Sequence, residues 1–405
     1  MLQVYLFNVG QGDNILIKLP SGSYGIIDFF YDPSINYEKE PPALTFLKQV
    51  HQLGEHVRIK FLHLSHYHFD HINGLERWIE WVDEEHIEVE TIWLPGSFPT
   101  ETVIHNITKA LRDTKLIGTL LHDNPELEAT FNKISHKYNK GVFTKLEQFL
   151  HQANRDAQFL NSIRRLSNVC PTPVEVYCLA PTATRAINFA QQDSLNLLKV
   201  LFTPHRHSKT DGNDISAVIL MIFGSFKLLF GGDAKKESIE ESIKSLKAEP
   251  YGISFQANFV KIFHHGAKYS SSLDIWKEIL YPQQSTHIAI SAGVRYMHPD
   301  QETIEHIKSI AALKEHNNTY IYSTNYEYLK GRGQSNIESV IDEKRLNWQF
   351  PKKNTVDKIT EKARVLDTIP GIKPIQLDQE GSRFLGYCFE FNSTDNNISV
   401  SKLIT

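Results

Sequence analysis

The stretch FLHLSHYHFDHING, residues 61–74, constrains this chain more than any other. It opens on an apolar run, sets His63, His66, His68, Asp70 and His71 within nine positions, and stops on Gly74. A near-continuous apolar run reads as a strand buried on both faces. A dense group of imidazoles and a carboxylate needs polar partners. A strand covered along its length, opening at its end into a loop at a sheet edge, meets both demands.

The flanking sequence supplies such a sheet. LQVYLFNV, ILIKL and YGIIDFF read as three strands separated by the turns GQGDN and PSGS. EPPALTFLKQVHQL follows as a helix, with Leu44, Leu47, Val50 and Leu53 at helical spacing and prolines at its start. VRIKFLHLSH is the strand that carries the motif. Residues 100–168 have helical spacing and little strand signal, and read as a helical insertion, a lid over whatever the loops build. Strand signal returns at 174–181, at 214–223 with 226–234 as a hairpin, at 259–272, at 286–293 and at 318–324. A charged tract of no assigned role fills 325–383, and FLGYCFEF (384–391) reads as a closing strand ahead of a tail to 405. The expectation is one α/β domain over 1–405, built in layers.

Composition narrows the class. With 405 residues, 41% of them hydrophobic, the chain can bury a sizeable core. A formal net charge of −4 gives no bulk attraction to nucleic acid. Three cysteines (Cys170, Cys178, Cys388) are too few and too scattered for a disulfide framework. The N-terminus lacks the pattern of a signal peptide, and no apolar run is long enough to span a bilayer. A cytoplasmic protein without membrane insertion is expected.

Neutral imidazole nitrogens and carboxylate oxygens are the usual donors to zinc and similar divalent ions. In a strand-end loop, positions two apart project to one side. His66 and His68 thus address one point, and Asp70 and His71 a second. Further donors lie at other strand ends: Asp233 after the glycines of LLFGGDA, and His264 and His265 in VKIFHHGA. With two oxygens, Asp233 is suited to bridge two ions.

In this order, FNVGQGDNILIKLPSGSYGIIDF, HLSHYHFDHINGL, NDISAVILMIFGSFKLLFGGDA, VKIFHHGAKYSSS and RYMHP resemble the metallo-β-lactamase fold superfamily. Within it they resemble the hydrolase domain of ComEC-type competence proteins and its soluble relatives. The resemblance covers residues 1–98 and 174–325 with gaps. It implies a four-layer αββα sandwich with two divalent ions, zinc or manganese, at one edge. It implies His66 and His68 as ligands of the first ion, Asp70, His71 and His265 of the second, and Asp233 between them. It implies a supporting role for Asp28, with Asp13 and Asn14 beside it, and a substrate-facing one for His264. Three departures stand out. Phe29, Phe30 and Tyr31 follow Asp28 where the family has Thr or Ser and then Gly. No histidine is found to complete the first ion: CLAP carries Ala180, while His205 and His207 sit in a polar loop. A single-ion site is therefore the alternative. The membrane domain of the competence proteins has no counterpart, so DNA uptake does not carry over.

Two divalent ions lower the pKa of bound water toward ~7, giving hydroxide to attack phosphorus or a carbonyl carbon. Asp70 is placed to accept the proton. Lys268 and Ser270 in GAKYSSS, and Arg295 and His298 in RYMHP, suit a phosphate-containing substrate. The leading expectation is a metal-dependent phosphodiesterase or nuclease acting on a phosphate-containing substrate such as DNA. The alternatives are a carboxylic ester, thioester or lactone hydrolase, and a non-catalytic binding or regulatory module.

Overall fold

The structure is a computed structural model and describes residues 1–33, 39–96, 145–146, 148–150, 156–166, 174–202, 211–248, 252–281, 284–292, 298–313, 319–324, 346–349 and 384–404. In the N-terminal part, β1 (Leu2–Phe7), β2 (Ile15–Lys18) and β3 (Tyr24–Ile27) precede α1 (Pro42–Gln52) and β4 (Arg58–His63). Then come α2 (Phe69–Ile72), α3 (Leu75–Glu84), β5 (Glu88–Pro95) and β6 (Asp156–Leu160). A second series runs β7 (Arg164–Arg165), β8 (Val174–Ala180), α4 (Ala183–Phe202), β9 (Val218–Phe223), β10 (Phe226–Phe230) and α5 (Lys236–Ala248). It continues with β11 (Phe259–Lys261), α6 (Leu273–Ile279), β12 (Thr286–Ile290), α7 (Gln301–Leu313), β13 (Thr319–Ser323) and β14 (Leu346–Gln349). The hairpin of β15 (Phe384–Asn392) and β16 (Asn397–Ile404) ends the chain.

Two eight-stranded sheets result, ordered β16-β15-β1-β2-β3-β4-β5-β6 and β14-β13-β12-β11-β10-β9-β8-β7. β1 shows how they pack. Leu2, Val4 and Leu6 point between the sheets, while Tyr5 and Phe7 point to the outer face. Ile219, Met221, Leu228, Phe230 and Phe259 meet the inner residues from the second sheet. Outside the first sheet lie Leu44, Leu47 and Val50 of α1 and Trp78 and Val82 of α3. Outside the second lie Ile239 of α5, Trp276 of α6 and Ile307 of α7. The helices bury one stripe each, at roughly 1.5–3 kcal/mol per fully buried large side chain. The chain is a four-layer αββα sandwich. Strands covered on both faces explain the unbroken apolar runs.

β3 to β6 run parallel, as do β10 to β13. Their carboxyl ends bring the loops after β3, β4, β10, β11 and β12 to one edge of the sandwich. The antiparallel pairing of β2 with β3, Ile15 opposite Ile27, adds the GQGDN turn to that edge.

Some expectations change. Part of the 100–168 segment is strand: DAQFL forms β6 parallel to β5, and Arg164–Arg165 pairs with β8. Apolar spacing over five residues fits either state, and the unpaired edge of β5 selects the strand. The other residues of that segment, apart from 145–146, 148–150 and 161–166, lie outside the described residues. So does the 325–383 tract, except for β14. Leu53, though in helical spacing, is the residue after α1 and is 46% exposed. β15 lies between β1 and β16, so β16 forms the edge. Cys178 and Cys388 are buried free thiols; Cys170 lies outside the described residues. Among those residues no helix is long and apolar enough to cross a membrane.

Candidate metal centre

His63, still within β4, belongs to the core. Its ring stands edge-on to Trp93 at 6.1 Å, and burial pushes its pKa down to about 3. The chain then leaves the sheet. Ser65, His66 and His71 are 0% exposed, whereas the His68 side chain is 42% exposed. α2 is a single turn, closed by the His71 and Ile72 amides donating to the His68 carbonyl. Backbone bonds pin this loop from below: Phe29 N donates to His71 O at 2.7 Å, and Asp13 N to Asp70 O at 3.2 Å.

Asp233 arrives from the other sheet. Gly232, at φ +49°, makes the turn, and a Cβ there would stand 2.6 Å from Ser216 Oγ. Only glycine meets both conditions at low cost. Ser216 Oγ in turn accepts from Asp233 N at 2.9 Å. The next strand end delivers His264 and His265, both left-handed, at φ 44° and 53°. Such conformations are costly for residues with a Cβ and collect at functional sites. Gly266, at φ +90°, follows; a Cβ there would lie 2.5 Å from Pro299, so this turn packs against the His298–Pro299 segment.

The two oxygens of Asp233 face different groups. Oδ1 lies 3.4 Å from His71 Nε2 and 3.5 Å from His265 Nε2. Oδ2 lies 3.7 Å from His66 Nε2 and 3.6 Å from His264 Nε2. Asp70 Oδ2 is 3.9 Å from His265 Nε2. Two sets emerge, Asp70/His71/Asp233/His265 and His66/His68/Asp233, with the ligand atoms of each set within 4.8 Å of one another. The structure thus brings together all six residues expected to hold metal. The histidine pair divides: His265 is buried on the Oδ1 side, and His264, with a quarter of its side chain exposed, stands on the Oδ2 side.

Beneath the cluster the rings are held by their other nitrogens. His71 Nδ1 donates to Asp28 Oδ2 at 2.7 Å, and His265 Nδ1 donates to Ser291 O at 3.0 Å. Asp28, in the left-handed region at φ 57°, also accepts from Ser65 N at 2.8 Å and Ser65 Oγ at 2.7 Å. Asn14 carries no ligand-like role; it donates to Asp28 O and accepts from Ala43 N at the start of α1. Asp13 pairs with the buried ammonium of Lys261 and accepts from Ser291 Oγ. Sequence reading missed Lys261, Ser65 and Ser291. The lysine had a signal, since a charge inside an apolar strand demands a buried partner.

Electrostatics follow from this packing. Burial lowers His66 well below the ordinary imidazole range, with the His71 ring adding to it, so His66 is neutral. Burial likewise lowers His265. Burial opposes ionisation of Asp233, but His265, His71 and His264 outweigh it and hold the carboxyl well below its usual range.

The donors fit divalent cations. His66 Nε2, His71 Nε2, His265 Nε2 and Asp233 Oδ1 are buried without a hydrogen-bond partner. Each such atom costs roughly 1–3 kcal/mol when left unpaired, and here they converge. Two donors about 2.1 Å from one tetrahedral ion stand about 3.4 Å apart, close to the spacings around Asp233.

The remaining expected residues lie further out. The His298 ring is 5.9 Å from that of His264, with Nδ1 3.7 Å from Asp300 Oδ2. Lys268 is exposed, its ammonium over the Tyr269 ring. Ser270, expected to meet substrate phosphate, is 2% exposed, where its turn packs against α5 and α7. A hydroxyl in a helix interface is not presented to substrate. Arg295, His205 and His207 lie outside the described residues. Ala180 is buried in the outer layer of the second sheet.

No protein-family model matches the sequence, and no curated protein matches it. Among solved structures, the chain is similar to a mutant of the CmlA beta-hydroxylase, with 14% identity, 86% of this chain covered and a TM-score of 0.36. It spans 52%, about half, of that hydroxylase chain. It is also similar to a diphosphatase from the PhnP family, with 8% identity, 86% of this chain and 95% of that one covered, and a TM-score of 0.34. Zn(2+)-bound PqqB from Methylobacterium extorquens stands at 8% identity, with coverage of 86% and 98% and a TM-score of 0.34. At such TM-scores, fold and site rest on the topology and side chains of this chain itself.

Proposed function

We propose that this chain is a metal-dependent hydrolase that cleaves phosphodiesters, with DNA among its candidate substrates. One observation carries the reading: the Asp233 carboxylate divides its oxygens between two sets of imidazoles. His66, His68 and Asp233 would hold one ion, and Asp70, His71, His265 and Asp233 a second; zinc and manganese both suit these donors. Bound there, divalent cations supply Lewis acidity and bring the pKa of a water toward ~7.

The chain's own residues do the rest. Asp28 holds His71 through Nδ1, and the Ser291 carbonyl holds His265 in the same way, so that Nε2 of each ring faces the cations. Asp70, a quarter exposed, is the carboxylate of this set that reaches solvent and would serve as the proton acceptor. His264 stands on the Oδ2 side of Asp233 with the His298 ring 5.9 Å from its own, and either imidazole would serve as the acid that protonates the leaving oxygen. Groups accessible around the cluster are mixed: the nitrogen donors His68, His264 and Lys235, with side chains 42%, 25% and 27% exposed, stand beside the carboxylates of Asp70 and Asp211, 24% and 42% exposed. Lys268 adds an exposed cation on the turn after the histidine pair. The histidine nitrogens and Lys268 are the groups of this rim that suit a phosphate oxygen.

The test is hydrolysis of bis(p-nitrophenyl) phosphate and of single- and double-stranded DNA, with zinc or manganese supplied. Wild type is expected to turn over, and His68→Ala and Asp70→Ala to lose activity with circular dichroism unchanged. Undiminished turnover by either variant overturns the assignment. Rapid cleavage of carboxylic esters without phosphodiester turnover transfers the site to acyl chemistry.

A further inference from the structure

The His66–His68 subsite has three donors where the other has four. Asp211 lies beside the former, with Oδ1 3.6 Å from His68 Nε2. Asp211 precedes the 3₁₀ turn Gly212–Ile215, and the same oxygen accepts from Asn213 N at 3.1 Å. This bond fixes the carboxylate's orientation. Gly212 then brings the backbone against the subsite: a Cβ there would stand 3.4 Å from His68 Nε2 and 3.8 Å from His66 Cδ2. On the far side Lys235 Nζ lies 2.8 Å from Asp211 Oδ2, leaving Oδ1 toward the histidine.

Two carboxylates in this site meet a histidine in different ways. Asp28 contacts His71 at Nδ1, the nitrogen turned away from the cluster, as an orienting partner does. Asp211 faces Nε2 at the ring tip, at a separation matching that between Asp233 and its histidines. A carboxylate in that position is placed to share an ion with the ring. The unpartnered Nε2 of His66, 0% exposed, points into the same subsite and is independent of Asp211.

Building on the reading above, we infer that Asp211 is the fourth donor of the His66–His68 subsite, in the place where a third histidine is missing. The subsite then consists of two imidazoles and two carboxylates. Oxygen donors suit manganese better than an all-imidazole set does, so this subsite shifts toward manganese relative to one of three histidines. The second carboxylate also makes it the subsite whose charge Lys235 offsets when no ion is bound.

The experiment measures metal content and calorimetric Mn binding of the full chain, with electron paramagnetic resonance to separate paired from isolated Mn ions. Wild type is expected to bind two ions with a spin-coupled signal. Asp211→Asn, which keeps an oxygen for the Asn213 amide, is expected to weaken one ion at least about tenfold and leave the signal of an isolated ion. Lys235→Met breaks the Asp211 ion pair without removing a donor, and is expected to keep two coupled ions. Retention of two coupled ions at unchanged affinity by Asp211→Asn overturns the inference. So does equal loss in Lys235→Met, since the effect would then belong to the ion pair, and so does a wild type holding one ion. A wild type that binds none overturns the proposed function as well, whereas the first two outcomes leave it standing.

Discussion

Lys261 Nζ lies 2.7 Å from Asp13 Oδ2, and both side chains are 1% exposed. The partners are 248 positions apart, Asp13 in the turn between β1 and β2 of one sheet and Lys261 at the end of β11 in the other, so this pair ties the two halves of the sandwich together beneath the candidate metal centre. Burial works against the Asp13 charge, but Lys261, His265 and His71 together outweigh it and hold the carboxyl below its ordinary range. Breaking a buried pair from one side leaves an uncompensated charge, at about 3–5 kcal/mol. Asp13→Asn is therefore expected to lower unfolding free energy by that order, measured in urea. Asp13→Asn combined with Lys261→Met is expected to recover much of the loss. An additive double mutant would show that the two side chains are not energetically coupled.

Asp28 and His71 offer a second test. Replacing Asp28 by Asn sets an amide against Nδ1–H and turns the tautomer so that Nε2 no longer offers its lone pair. Affinity at the Asp70/His71/Asp233/His265 subsite is expected to fall about 10–100-fold, with the secondary structure retained. Isothermal titration with zinc after chelation checks this, and unchanged affinity rules the role out.

Metal removal is expected to lower the melting temperature. The His66 and His71 rings lie 4.2 Å apart beside buried unpaired donors, an arrangement that an ion relieves. At a hundredfold excess over Kd, one bound ion adds about 2.7 kcal/mol. Returning zinc or manganese to chelated wild type should raise the midpoint by several degrees in differential scanning fluorimetry. Asp233→Asn should show little of this rise. An equal rise in the variant would place the stabilising ion elsewhere.

His63 predicts a pH dependence. Its folded pKa, about 3, lies below the ~6.5 of an exposed imidazole, so between these values the unfolded chain binds a proton that the folded chain refuses. Stability from this residue is complete above pH ~6.5 and declines as pH falls, by up to about 1.4 kcal/mol per unit. Denaturant unfolding of His63→Phe from pH 7 to 4, compared with wild type in chelator, is expected to give the shallower slope. Parallel slopes would remove His63 from the account.

Much of the cluster was legible in sequence because metal chemistry, the role proposed for it, restricts residue type and spacing. His66, His68, Asp70 and His71 sit within one loop, and Asp233 and His265 each end an apolar strand, so their identities alone marked them. Lys261, Ser65 and Ser291 were not singled out, because hydrogen bonding places no comparable demand on composition. Ser270 was misplaced for the converse reason: a serine after a histidine pair reads as a phosphate contact, and only packing against α5 and α7 shows that it is buried. β6 escaped because five residues cannot hold a period.

By itself the sequence determined the layered α/β class and singled out the residues proposed as metal donors, since periodicity follows from strand and helix geometry and candidate ligand type from the electronic demands of a divalent ion. The tertiary structure alone decided how those donors divide: which oxygen of Asp233 faces which ring, why His264 and His265 part, and how Asp211 comes to face His68. These depend on distances of a few ångströms between segments far apart in the chain. Such distances are set by how the two sheets pack against each other, a relation that no local pattern encodes.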